Sequence, residues 1–222
     1  MRSGLLVMAC LSGGLAGAQS KLTIGEYAYA GANQPLYISS VIQYQGKQHW
    51  YAEARYNYED YRTCSLYGGY TFSGDHKLSY SVTPMIGWMA GRLKGGSAGL
   101  NAEFDYKRIY FSIQSQYCAS SDDRGENFFF SWSEAGYHVC SWLYTGLSLQ
   151  YTLPYRGPAL PEPGVFASFS FRQWSFSVYS FLPARQPMLF VLGVSREWKY
   201  RKKSSAGPGK PPLPAKNRGI IF

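Results

Sequence analysis

Glu53, Arg55, Asn57 and Glu59 recur at every second position of "HWYAEARYNYED". Asn101, Glu103 and Asp105 repeat the spacing, as do Gln114 and Gln116. Side chains two apart on a strand share a face, so each run presents acids, amides or a guanidinium to one side. Charges gathered inside a fold must be paired or hydrated. Two roles stay open for this set. One is a Glu53, Arg55 and Glu103 ion network that braces an interior. The other is a hydrated constriction favouring small cationic solutes, since the acids outnumber Arg55, the set's lone base.

A base and a nucleophile would meet by the same spacing. His138-Val139-Cys140 is the nearest approach to such a pair, because no His-x-Ser occurs; it falls in an expected turn and would need a thiolate. His49 and His76 stand at expected strand ends, where histidine is ordinarily solvated. Trp132-Ser133-Glu134 fits either register, because Phe128, Phe129 and Phe130 put large rings on both faces. The sequence offers no metal-ligand spacing, no Gly-rich phosphate loop and no basic face on a folded element. No metal, cofactor or nucleic acid is therefore expected.

Strands must position these residues. Period-2 alternation predicts twelve, at 22–30, 36–44, 48–58, 63–72, 77–88, 97–106, 108–118, 127–135, 142–152, 164–172, 173–182 and 187–197. In 48–58 the outward set is Trp50, Ala52, Ala54, Tyr56 and Tyr58. In 77–88 Leu78, Tyr80, Val82, Ile86 and Trp88 oppose Ser79, Ser81, Thr83 and Met85. Connections alternate in length. "SGDH", Lys107 and Arg172-Gln173 are short, while "MAGRLKGG", "SSDDRGEN" and "LPYRGPALPEPG" are longer and rich in Gly, Pro and charge. An apolar face turned to lipid, a polar face turned to a lumen and alternating loops together predict an all-β, antiparallel up-and-down transmembrane β-barrel. About twelve strands are expected, with ten to twelve open.

The termini frame that barrel. Residues 1–18 read as a secretory signal peptide ending at Ala16-Gly17-Ala18, with lipoprotein processing at Cys10 as the alternative. The barrel is expected over 19–198, and 199–222 as a disordered tail rich in Pro, Gly and Lys. Seven of the 22 basic residues lie in that tail, which holds no acid, so the formal charge of +9 belongs to it rather than to the body. Cys64, Cys118 and Cys140 remain after the signal, an odd set that allows at most one disulfide.

The segments "ARYNYEDYRTCSLYGGYTF", "LSYSVTPMIGWMAG", "ENFFFSWSEAGYH" and "FVLGVS" resemble an uncharacterised family of bacterial outer-membrane β-barrel proteins. The likeness runs from about Glu53 to Ser195. It implies residence in the cell outer membrane, with lipid and the barrel-assembly machinery as partners, and it brings no established activity. The basic tail departs from the family pattern and displaces the terminal aromatic of the assembly signal, for which Trp198 or Tyr200 could serve. The expected function is a non-enzymatic narrow channel for small solutes or a structural, surface-facing barrel. A lipid-modifying enzyme of deacylase or phospholipase type is the alternative, and the oligomeric state stays open.

Overall fold

The computed structural model describes residues 20–31, 34–182 and 188–200, so the expected signal peptide and all but the first two residues of the expected tail lie outside the described residues. The ladder segments are β1 (Ser20–Gly31), β2 (Gln34–Gln45), β3 (Trp50–Tyr56), β4 (Thr63–Tyr70), β5 (Phe72–Asp75), β6 (Ser79–Gly91) and β7 (Gly95–Tyr106). They continue as β8 (Ile109–Ser120), β9 (Phe128–His138), β10 (Leu143–Pro154), β11 (Leu160–Phe171), β12 (Trp174–Phe181) and β13 (Leu189–Tyr200). A single 3₁₀ turn, Arg124–Glu126, interrupts the β8 to β9 connection.

β4 and β5 flank Thr71 and keep one register on β6, from Gly69 opposite Met85 to Phe72 opposite Val82. They are two halves of one stave. Twelve staves therefore form a ring, each antiparallel to its neighbours, and β1 closes on β13 from Ser20 opposite Tyr200 to Gly31 opposite Leu189. Closure pairs every stave with two neighbours and leaves only strand ends, such as 34–39 of β2 and 160–163 of β11, with one free side.

Alternation sorts the side chains as expected. Leu66, Ile86, Trp88 and Leu147 are 66 to 74 % exposed on the outside, whereas Thr23, Ser65, Thr83, Gln114 and Ser148 are buried within. A soluble barrel would reverse this pattern. A continuous apolar belt around a closed barrel with a polar interior is what a hydrocarbon surround requires.

The structure corrects three local expectations. "MAGRLKGG" and "LPYRGPALPEPG" are mostly strand, and the connections shrink to 92–94 and 155–159. Prolines 161 and 163 are tolerated because β11 pairs there with β10 alone; pairing with β12 begins at Gly164, so no ladder bond is lost. The awkward "GYHVCS" is half strand, since β9 runs to His138 and the amides of Val139 and Cys140 both donate to the Leu143 carbonyl. The last ladder extends through Lys199 to Tyr200, past the residue where the barrel was expected to end. The three cysteines are free thiols.

Candidate functional site: the barrel lumen

The polar side of the lumen is built by β3, β4, β7 and β8, with the connection from β3 to β4 folded inward. β3 delivers Glu53 and Arg55 to the interior, and both side chains are fully buried. The ladder ends at Tyr56, and Asn57 takes a left-handed backbone with φ 55°. Asn tolerates that conformation better than most residues. The reversal of direction sends Tyr58 and Glu59 into the lumen.

Arg55 is the centre of the resulting cluster. Its Nε donates to Glu53 Oε1 at 2.5 Å and its Nη1 to Glu59 Oε1 at 3.1 Å. Nη1 also donates to Gln116 Oε1, on the far side of three intervening staves. The guanidinium lies between the Tyr58 and Tyr67 rings, 4.4 and 4.5 Å from their centroids. Glu59 further accepts from Ser65 Oγ at 2.7 Å and the Tyr67 hydroxyl at 2.9 Å. Glu53 accepts from the Tyr51 hydroxyl and, at 3.4 Å, from Asn101 Nδ2. Tyr58 donates to Gln114 Oε1 at 2.9 Å. These contacts form a chord of charge-assisted hydrogen bonds spanning the barrel.

The structure thus gathers Glu53, Arg55, Asn101, Gln114 and Gln116 into one network. Glu103 and Asp105 lie nearer the mouth where β1 begins and β13 ends. Glu103 lines a chamber of about 60 Å³ with Thr23, Gln43, Thr83 and Asn101. Asp105 faces His138 Nε2 at 3.3 Å and borders a vestibule of about 470 Å³ that shares Lys21 and Gln45 with the chamber. Asn57 does not join them. Its side chain donates to the Ile38 carbonyl at 3.0 Å and accepts from the Arg62 amide at 2.7 Å, holding the turn together. Tyr58, expected to face lipid, stands inside for the same reason. The signal that could have found both is the "NYEDYR" run, where Asn and Asp favour a turn over further strand.

The opposite wall is aromatic. Trp132 packs edge-on against Tyr179 and Phe181 at 5.0 and 5.7 Å and donates its indole N–H to Ser148 Oγ at 2.8 Å. Phe166 stacks on Tyr179 at 5.6 Å, and Tyr58 meets Phe130 edge-on at 6.1 Å, joining the inward connection to this wall. Trp132 and Glu134 both point inward, which resolves their register; Glu134 is held against Tyr179. At the opposite mouth, Leu93 of the β6 to β7 connection packs with Met89, Cys118 and Phe128.

His138 faces the lumen beside Asp105 rather than the bilayer, and Cys140 lies in the following turn. The residues of the lumen form no group able to hold a metal ion among those described.

No family model matches the chain, and no curated protein matches it. Among solved structures, the KdgM porin aligns with 78 % of this chain and 98 % of its own, at TM-score 0.60 and 11 % identity. A complex of KdgM with disordered oligogalacturonate aligns with 79 % of this chain and 98 % of its own, at TM-score 0.58 and 11 % identity. The NanC porin covers the same shares at TM-score 0.52 and 10 % identity. The fold is that of an outer-membrane porin-like β-barrel.

Proposed function

We propose that this protein is a non-enzymatic outer-membrane channel for small hydrophilic solutes, favouring cations and closed at rest. The observation that carries the reading is the balance of charge along the polar path. Vestibule and chamber carry Lys21, Lys77, Lys107 and Lys199 beside Asp75, Asp105, Glu197 and Glu103. Beyond them the lysines end, and a single guanidinium, Arg55, is set among Glu53 and Glu59 with Glu134 as a further inward acid, so seven acids face five bases along the path. A narrow lumen with low-dielectric walls strengthens the field of such an excess and draws cations. The KdgM complex holds an oligogalacturonate; here the acids around Arg55 and in the chamber oppose passage of a comparable acidic sugar beyond the vestibule. A chamber of about 60 Å³ accepts only small solutes.

Passage requires the network to open. Tyr58 and Glu59 belong to a connection rather than a stave, so they can withdraw without unpairing the sheet, and the Arg55 to Gln116 bond between β3 and β8 must break with them. β1 begins and β13 ends at the vestibule mouth, which in barrels of even strand number faces the periplasm. Lipid surrounds the belt, and Trp198 or Tyr200 in the last strand serves assembly. Lipid modification is the less supported reading, because its candidate base His138 is turned away from lipid.

The test is the reversal potential of refolded protein in a planar bilayer across a KCl gradient. Cation preference is expected, and Glu103→Gln with Asp105→Asn should move the potential toward zero. Anion preference would contradict the reading. Silence from demonstrably folded protein would make this a closed structural or surface barrel.

A further inference from the structure

Among the charged side chains on the described strands, only Glu26 and Arg196 leave the interior and point outward. They sit together at the seam that closes the barrel. Glu26 on β1 is opposite Val194 of β13, and Arg196 is opposite Ile24, two residues away.

Glu26 is near the middle of its twelve-residue strand, within the apolar belt. Its carboxyl group receives one hydrogen bond, from Ser40 Oγ on β2 at 2.6 Å. Ionisable groups facing hydrocarbon are costly and ordinarily keep a partner of opposite charge. Arg196 is close enough in the ladder to be that partner, yet the two form no ion pair within the chain among the described residues. The guanidinium instead lies over Trp174 and Trp198, 5.1 and 4.7 Å from the ring centroids, and its Nε has no hydrogen-bond partner.

Beyond Glu26 the outward residues of β1 are Ala28 and Ala30, a short row of small side chains between Ile38 of β2 and Phe190 and Leu192 of β13. Small residues let two membrane proteins approach at backbone distance.

We infer that this face is a homodimer interface, with Glu26 of each copy paired to the partner's Arg196. A two-fold axis brings one patch against itself, so a patch carrying one acid and one base satisfies both charges twice. The proposal is independent of whether the lumen conducts.

The oligomeric mass of the refolded protein in lipid nanodiscs tests it, with folding verified by heat-modifiable gel migration. Wild type should be a dimer. Glu26→Arg alone or Arg196→Glu alone sets like charges across the axis and should give monomers. An equimolar mixture of the two variants restores opposite charges at both contacts, so dimers with one chain of each should return. Mixing cannot rescue an ion pair made within one chain. Should either reversal fail to fold, Glu26→Gln and Arg196→Gln remain, each expected to weaken dimerisation by roughly tenfold or more. A monomeric wild type would overturn the proposal. So would neutral variants that dimerise undiminished, a folded mixture that stays monomeric, or a monomer retaining anionic phospholipid through Arg196.

Discussion

The two walls of the lumen fill the same twelve-stave space by different chemistry. From β9 to β13 and back to β1, rings pack on rings, and Trp132, Tyr179, Phe181 and Phe166 are each at most 2 % exposed. From β3 to β8 the space is crossed by Arg55, its two carboxylates, two glutamines and three tyrosine hydroxyls. Ring packing has no alternative partner, so it can only be lost. A hydrogen-bonded charge cluster can exchange its partners for water. The difference teaches which wall can exchange its contacts: the polar chord, where Tyr58 and Glu59 lie on a connection and Arg55 reaches Gln116 across the ring, while the aromatic wall keeps its packing.

The comparison is broken most severely at Arg55. Arg55→Ala leaves Glu53 and Glu59 buried without their cation and should cost ~3–5 kcal/mol of folding free energy, read by urea unfolding in lipid vesicles. The loss should shrink when Glu59→Gln is added, because one of the stranded charges is then removed. Trp132→Ala should cost ~3–5 kcal/mol through cavity formation, with no comparable rescue from any neutralising change. A rescue by Glu59→Gln in both backgrounds would erase the distinction between the walls.

A smaller effect sharpens the inside against the outside. Ala54→Arg places a charge in the lipid belt one residue from Arg55, which the interior accommodates. It should cost ~2–4 kcal/mol near mid-bilayer, measured by the same unfolding. Unchanged stability would place β3 in the other register. The smallest effect concerns the β7 to β8 turn: Lys107 holds φ 56° there, so the backbone preference of Asn should raise the stability of Lys107→Asn by up to about 1 kcal/mol.

Much of this was legible in the sequence because a strand's period is two and the interior and exterior demand opposite polarity. That rule places Glu53, Arg55, Asn101, Gln114 and Gln116 on one surface without knowledge of any partner. It fails one residue later. Alternation continued through Asn57 sends Tyr58 to lipid, whereas a single left-handed residue reverses the chain and delivers Tyr58 inward. Pairing across the ring was equally hidden. Nothing in the spacing of Arg55 and Gln116 shows that they meet, since the distance between them is set by barrel closure. Pro161 and Pro163 misled in the opposite direction, since proline excludes itself from a paired strand but not from a stave with one free side. The aromatic wall escaped notice because its rings come one or two at a time from separate strands, Tyr27 and Tyr29 from β1, Trp132 from β9, Phe166 from β11 and Tyr179 and Phe181 from β12, and only their packing joins them.

The most direct test of a hinged polar wall against a fixed aromatic one is single-channel recording of wild type, Arg55→Ala and Trp132→Ala in the same planar bilayer. Opening along the polar chord predicts brief, small events in wild type, prolonged open states in Arg55→Ala and near wild-type behaviour in folded Trp132→Ala. Prolonged opening in Trp132→Ala with none in folded Arg55→Ala would contradict it.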